Sequence, residues 1–238
     1  MELATFRFPD PELAGRRGVV MCYAVRHSGG VLLFDTGFGF GDKELDEAYH
    51  PVTRRIEDAL KDVGVAKDEV TAIVNCHLHV DHAGQNGAFP GVPIHVQPAE
   101  RELARTPDHT IVDWIDAPGT MYRQSAGDHA IAPAMRILAT PGHTAGHQSL
   151  VVETDGGTVV LAGQACYTVG EWAGDPDALD GRNGAPDQAA YDQSIEKLRA
   201  LNPIRVHFGH DREAWVAGPA TGADPATAPA PAILPGPC

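Results

Sequence analysis

The chain has 238 residues, of which 43% are hydrophobic, and its formal net charge at pH 7 is −14. A chain of this length buries roughly 70–75% of the surface that its unfolded form exposes, so it can build a core without disulfide bridges. The acidic balance argues against nucleic acid or an anionic membrane as the main partner, because both require a basic face. We expect one globular domain with neither kind of partner.

The cysteine pattern and the N-terminus predict a cytoplasmic protein. The four cysteines form no CxxC pair and no disulfide framework, which favours a reducing compartment. The N-terminus, MELATFRFPDPE, has no basic segment followed by an apolar core, so we expect no signal peptide. No apolar run approaches the length of a membrane span.

The first half of the chain predicts strands that alternate with helices. Strands are predicted at Gly18–Arg26, Val31–Phe34, Val70–Cys76 and Val92–Gln97. The first two are joined by Gly29-Gly30, which is a hairpin signal. Helices are predicted over residues 42–62, interrupted near Pro51, and over Pro98–Ala104, which has proline near its first position.

The second half predicts a further set of strands and one long helix. Residues 105–130 lack a clear period and are expected to form loops over the site, and residues 170–186 are a loop rich in Gly and Asp. The strands are Arg136–Ala139, Ser149–Glu153, Thr158–Ala162 and Ile204–Phe208. The helix is Asp187–Leu201, with an acidic N-cap and basic residues near its end.

Hairpins followed by strand–helix units occur in both halves of the chain. This order predicts an α+β fold, an αβ/βα four-layer sandwich in which two mixed β-sheets are flanked by helices. We assign residues 1–216 to this domain. Residues 217–238 are mostly Ala, Pro and Gly and are expected to form a flexible tail.

Candidate metal ligands cluster directly after the predicted strand Val70–Cys76. His77, His79, Asp81 and His82 all lie in the segment HLHVDH. Imidazole and carboxylate suit zinc and its first-row neighbours. His77 and His79 are two residues apart on an extended segment and point the same way, whereas a turn can aim Asp81 and His82 at a second position. Because the cluster follows a buried strand, it predicts a metal site rather than surface histidines.

Three further strand ends carry candidate ligands beside a glycine. His143 follows Thr140-Pro141-Gly142, Gln164 follows Gly163, and His210 follows Gly209. Glycine permits the backbone to turn sharply where a strand leaves the sheet.

These segments together resemble the metallo-β-lactamase superfamily, and within it the N-acyl-homoserine lactonases. The resemblance extends roughly over residues 18–213 and is carried by HLHVDHAGQNGAF at 77–89, TPGHTAGHQSL at 140–150, ACYT at 165–168 and FGHD at 208–211. The first segment alone is shared by phosphodiesterases, thioesterases, ribonucleases and lactonases. The later segments, in their order and spacing, narrow the resemblance to the lactonase-like branch.

The resemblance implies two sets of metal ligands. The first metal would be held by His77, His79 and His143, and the second by Asp81, His82 and His210. Gln164 stands where the family has an aspartate that bridges both metals. An amide is neutral and offers one oxygen, so we expect weaker binding of the second metal, or a single metal. Whether Gln164 binds metal directly or only lies beside the ligands stays open.

The resemblance also implies roles in catalysis. Tyr167 matches a tyrosine whose hydroxyl contacts the substrate carbonyl oxygen, the alternative being a packed aromatic. Asp81 would pass a proton to the leaving alkoxide. Asp35 is expected to orient a ligand histidine. His147 and His207 are expected in the core or beside ligands. The other histidines are expected at surface or structural positions: His27, His50, His95, His109 and His129.

The function implied is a metallo-hydrolase that uses a metal-bound hydroxide to open the lactone ring of N-acyl-homoserine lactones, with one or two zinc ions as cofactor. Such activity would silence that signal, which is quorum quenching. Two alternatives stay open: a related hydrolase of another ester or of a thioester, similar to glyoxalase II, and a catalytically weak binding or regulatory homologue. The expected partner is a small lactone or ester. The sequence leaves acyl-chain preference and oligomeric state open, a homodimer being one option.

Overall fold

The computed structural model describes residues 1–9 and 16–218. Its strands are β1 (Glu2–Arg7), β2 (Arg17–Met21), β3 (Tyr23–His27), β4 (Gly30–Phe34), β5 (Val52–Thr53), β6 (Val70–Val74), β7 (Pro93–Val96), β8 (Met121–Gln124), β9 (His129–Ala132), β10 (Met135–Ala139), β11 (Gln148–Thr154), β12 (Gly157–Leu161), β13 (Arg205–His207) and β14 (Trp215–Val216). Its α-helices are α1 (Lys43–Tyr49), α2 (Ile56–Asp62), α3 (Val80–Ala83), α4 (Pro98–Leu103), α5 (Val112–Ile115), α6 (Val169–Ala173) and α7 (Gln188–Arg199).

Two large mixed sheets form the framework. One has the order β3-β4-β6-β7-β8, with β3 antiparallel to β4 and the remaining neighbours parallel. The other has the order β14-β13-β12-β11-β10-β9, antiparallel except for the parallel pair β12 and β13. The predicted α+β architecture of two mixed sheets with flanking helices is confirmed. A small third sheet, β2-β1-β5, was not predicted.

Alternating side chains place the two large sheets face to face. From β4, Leu32 and Phe34 pack against Ile137 and Leu150 of the six-stranded sheet. The intervening Leu33 points the other way and joins a second cluster with α2. This alternation is the period of two that an extended strand imposes, and it gives each strand one face toward the partner sheet and one toward a helix.

The outer layer on the six-stranded sheet is α7. Asp187 caps its N-terminus by accepting a hydrogen bond from the Ala190 backbone N–H. Tyr191, Ile195 and Leu198 are buried together against the sheet, at helical spacing. The helix predicted here is therefore confirmed by both its cap and its apolar face.

Several predicted boundaries were wrong. The predicted strand Gly18–Arg26 is two strands, β2 and β3, in different sheets. The break lies at Cys22, whose backbone N–H donates to the Met1 carbonyl, so the chain changes sheet there. The predicted loop over residues 105–130 contains α5, β8 and the start of β9. Most side chains of the edge strand β8 are exposed, so its sequence carries no apolar period.

Two other predicted segments agree better with the structure. The helical segment 42–62 is interrupted as predicted, into α1 and α2, with β5 between them. The loop predicted at 170–186 overlaps α6, which Thr168 caps through its hydroxyl. Most of the predicted tail, residues 219–238, lies outside the described residues. Among the residues described, no helix is long and apolar enough to cross a membrane.

Candidate metal centre

Loops that follow strands of both large sheets meet at one edge of the sandwich. Residues 77–82 lie on the loop after β6 and on the short helix α3 that follows it. The loop after β10 carries His143, that after β12 carries Gln164 and Tyr167, and that after β13 carries His210. Within each sheet the parallel neighbours end on the same side, so their loops come together. Residues from all four loops line one pocket of about 590 Å³.

Three imidazole nitrogens from two loops lie close together in the first set. His143 Nε2 is 3.2 Å from His77 Nε2 and 3.1 Å from His79 Nδ1. Two nitrogens about 2.0–2.1 Å from a shared tetrahedral ion would have a similar separation. The structure therefore brings together the three residues predicted to hold the first metal, in a spacing that suits one ion.

Asp81, His82 and His210 form the second set, with ligand atoms within 4.8 Å of one another. Asp81 Oδ2 lies 3.3 Å from His82 Nε2 and 3.5 Å from His210 Nε2. The shorter contact is not directed as a hydrogen bond, and His82 Nε2 is buried without a hydrogen-bond partner in the described part of the chain. Leaving such an atom unpaired costs about 1–3 kcal/mol, and a metal ion would satisfy it.

The outer nitrogens of the second set are fixed by the fold. His82 Nδ1 donates to Asp35 Oδ2 at 2.9 Å, and His210 Nδ1 donates to the Val19 carbonyl at 2.7 Å. The other carboxylate oxygen of Asp35 accepts from the Cys76 backbone N–H at 2.7 Å. These bonds place a proton on each Nδ1 and aim each Nε2 at the site. Asp35 thus makes the histidine contact predicted from the sequence.

Gln164 lines the same pocket as both ligand sets and is 4% exposed. Its Oε1 is buried and has no hydrogen-bond partner within residues 1–9 and 16–218. Its backbone N–H donates to His147 Nε2 at 3.0 Å, so the lone pair of that nitrogen is already engaged. The preceding Gly163 has φ of +62°, and a Cβ there would lie 2.6 Å from Cys76 Cβ. The backbone that delivers Gln164 therefore requires glycine.

Tyr167 lies beside one member of each set. Its hydroxyl is 3.5 Å from His143 Nδ1, and its ring centroid is 5.0 Å from that of His210. Its backbone N–H donates to Glu171, which holds the start of α6 against this loop. Burial raises the pKa of Tyr167, so the hydroxyl keeps its proton and can donate it in a hydrogen bond.

Burial lowers the pKa of the first-set imidazoles. It brings the pKa of His79 to about 4. For His77 and His143, burial and the neighbouring imidazoles together hold the pKa well below the ordinary value. These rings are neutral at pH 7 and present lone pairs, which is the state that binds a cation.

At Asp81 and His82, in contrast, the pKa shifts favour the charged form of each side chain. Burial alone would raise the pKa of Asp81, but the charge of His82 and its proximity hold that pKa below the usual range. Burial alone would lower the pKa of His82, but Cys76 and Asp81 hold that pKa well above its ordinary value. The second set is therefore anionic at Asp81, and a metal bound there would displace a proton from His82.

The sequence missed other residues of this pocket. His109, predicted at a surface or structural position, lies with its ring centroid 4.5 Å from that of His79 and lines the pocket. Phe6 and Phe8 reach the pocket from the N-terminal segment, and Ile111 reaches it from the segment predicted as loop. No periodic signal marks these positions, because their location follows from the third sheet and from the packing of α4 and α5.

Histidines and an aspartate lie together on loops at one edge of two mixed sheets. This combination of fold and site is typical of metallohydrolases. Comparison with known proteins agrees: the family model of the metallo-beta-lactamase superfamily matches residues 15–210. The chain belongs to the metallo-β-lactamase superfamily.

Relatives within the superfamily point to one branch. An N-acyl homoserine lactonase from Bacillus sp. is 36% identical over 211 residues, covering 82% of each chain. N-acyl homoserine lactonase AttM of Azorhizobium caulinodans is 32% identical over 191 residues, covering 71% of this chain and 70% of the other. Among solved structures, an N-acyl homoserine lactone hydrolase with the product N-hexanoyl-L-homoserine at its catalytic metal center gives a TM-score of 0.72 at 31% identity, covering 88% and 90% of the two chains. The predicted resemblance is confirmed.

Proposed function

We propose that this protein is a zinc-dependent hydrolase that opens the lactone ring of N-acyl homoserine lactones. The observation that carries the proposal is that two sets of three ligands lie around one pocket. Both sets come from segments that the sequence resemblance identified. The lactonase relatives at 36% and 32% identity support the substrate class.

The residues present fit a metal at both positions. Neutral imidazoles with a spacing of 3.1–3.2 Å between nitrogens suit a first-row ion. At the second position, His82 Nε2 is buried and unpaired among the described residues, and Asp81 supplies a negative charge beside it. With histidine and aspartate as the only donors of the two sets, zinc is the natural occupant.

A metal held there would lower the pKa of a water molecule and polarise the ester carbonyl. The Tyr167 hydroxyl, protonated and beside His143, donates to the carbonyl oxygen as negative charge develops on it. Asp81 is an anion at neutral pH, so it accepts the proton of the attacking water and delivers it to the leaving alkoxide oxygen. The ring opens to a hydroxy acid, with the elements of one water added.

The pocket offers an apolar wall for an acyl chain. Five apolar or aromatic side chains line it: Phe6 and Phe8 from the N-terminal segment, Phe38 from the loop after β4, Tyr49 from α1, and Ile111 from the segment after α4. An apolar wall beside a few placed polar groups is typical of a site for a small amphipathic molecule. The size of the pocket, about 590 Å³, suits such a ligand rather than a polymer.

The test is ring opening by metal-replete and chelator-treated protein, with the product identified by its mass. We expect N-hexanoyl-homoserine lactone to gain one water with the metal-replete protein only. His143→Ala and His210→Ala should each lose metal and activity together. Metal-replete protein that leaves every lactone intact and cleaves only thioesters would contradict the proposal.

Gln164 favours a second candidate, a homologue that binds the lactone but turns it over weakly. Its neutral amide contributes less to holding a second metal than a carboxylate would, and its Oε1 makes no hydrogen bond within the described chain. An ion at the first set and none at the second, with lactone binding but slow turnover, would select this candidate.

A further inference from the structure

His109 occupies a fixed place on the pocket wall beside the first ligand set. It lies between α4 and α5, its side chain is 9% exposed, and its ring packs against that of His79. Neither set of candidate metal ligands includes it. The proposed chemistry therefore leaves a well-ordered polar side chain at the site without a role.

The buried carboxylate of Glu100 holds His109 in place. Glu100 Oε1 accepts from His109 Nε2 at 2.8 Å and from the Leu78 backbone N–H at 2.8 Å. Its Oε2 accepts from the Thr144 hydroxyl at 2.6 Å. Leu78 lies between two first-set histidines and Thr144 follows His143, so one side chain fixes His109 relative to the whole first set.

This anchoring decides which nitrogen of His109 is available. Nε2 faces a carboxylate oxygen, which can only accept, so Nε2 is the donor of this bond. The tautomer with its proton on Nε2 has a lone pair on Nδ1. In the described part of the chain His109 Nδ1 has no hydrogen-bond partner. It is also not fully buried, because it is absent from the buried polar atoms that lack a partner. Nδ1 is therefore accessible, and His109 is one of the residues that line the pocket.

We propose that His109 Nδ1 accepts a hydrogen bond from the amide N–H of the substrate and so selects N-acylated lactones. The inference rests on the proposed function. In such a substrate the amide nitrogen is two bonds from the lactone carbonyl carbon, which must lie at the ligand sets. Because His109 packs against His79, it lies beside the ligands at which the lactone carbonyl must lie, and so close to the amide. A lone pair on Nδ1 complements the N–H of that amide.

The consequence is selectivity rather than general activity. A site that hydrogen-bonds a substrate group discriminates against an analogue without that group, because a buried polar atom is then left unpaired. The amide-free comparison is a γ-butyrolactone that carries an alkyl chain of the same length, with two methylenes in place of the amide.

The test compares the two lactones in wild type, H109Q and D113N. Glutamine can keep the hydrogen bond to Glu100 through its amide NH2. Its acceptor, Oε1, is bonded to the same carbon as that NH2, so no acceptor is left at the position of Nδ1. Asp113 is exposed on α5 and does not line the pocket, so D113N is a matched control in the same segment. For H109Q we expect kcat/KM to fall about tenfold on N-hexanoyl-homoserine lactone and by less than about twofold on the alkyl lactone. D113N should match wild type on both.

An equal loss on both lactones in H109Q, or no loss on either, would overturn the inference. Failure of the proposed function would give a different result, because wild-type protein with full metal content would then open neither lactone. That result would also contradict the inference about His109. Metal content and the unfolding midpoint are measured on each variant, so that the two lactones are compared on folded, metal-loaded protein.

Discussion

Replacing Gln164 by aspartate should raise the affinity for a second metal ion. Gln164 is 4% exposed, lines the pocket with Asp81 and His210, and leaves Oε1 without a partner among the described residues. A negative charge about 4 Å from a positive one contributes about 4 kcal/mol at an effective dielectric of 20. Burying the new carboxylate costs several kcal/mol and offsets part of this gain. A net gain of about 1.4–2.8 kcal/mol corresponds to about 10–100-fold tighter binding.

The assay is a zinc titration of metal-free protein against a chelating indicator, with occupancy checked by elemental analysis. Gln164→Asn is the matched control, since it has the size of aspartate without the charge. The metal-free Gln164→Asp protein should unfold more easily than wild type, because it buries a second carboxylate in the pocket that Asp81 also lines. If Gln164→Asp binds the second ion no more tightly than Gln164→Asn, Gln164 does not face the metals and the reasoning fails.

Three further predictions follow from side chains around the site. Glu100→Gln should lower the free energy of unfolding by about 3 kcal/mol in a denaturant titration, because a buried anion accepts three hydrogen bonds; an unchanged value would contradict this. Tyr167→Phe should lower kcat about 100-fold with metal content unchanged, as expected when a donor to a developing oxyanion is removed; loss of metal instead would show a structural role. Burial lowers the pKa of His147 to about 3 and of His207 to about 4, against 6.5 when unfolded. At these two histidines the unfolded chain binds more protons below pH 6.5, so the stability of metal-free protein should fall as pH is lowered from 6.5 toward 4. A denaturant midpoint that is flat from pH 7 to pH 5 would refute this.

The ligand loops were predictable because their signals are local. The segment from His77 to His82 directly follows an apolar strand, so its residue types and its position already indicate a site. His143 and His210 each follow a short strand beside glycine, and the family resemblance connects them. The two mixed sheets were predictable for the same reason, since hairpins and strand–helix units repeat in both halves of the chain.

The pocket wall was not predictable because long-range contacts create it. Glu100 is a charged residue on a short helix, which a sequence pattern places at the surface. In the structure it is fully buried, because three donors from different segments meet there. His109 takes its place from that carboxylate, and no period marks it. Phe6 enters the pocket because β1 pairs with β2 and β5 in a sheet that local patterns do not reveal.

The central claim is that two ligand sets hold metal at this sheet edge. Crystals of zinc-loaded protein, measured on both sides of the zinc absorption edge, test it most directly. We predict a strong anomalous peak among His77, His79 and His143, and a weaker one among Asp81, His82 and His210, as expected if Gln164 binds less strongly than a carboxylate. Crystals with full zinc content and no anomalous peak at either set would contradict the account.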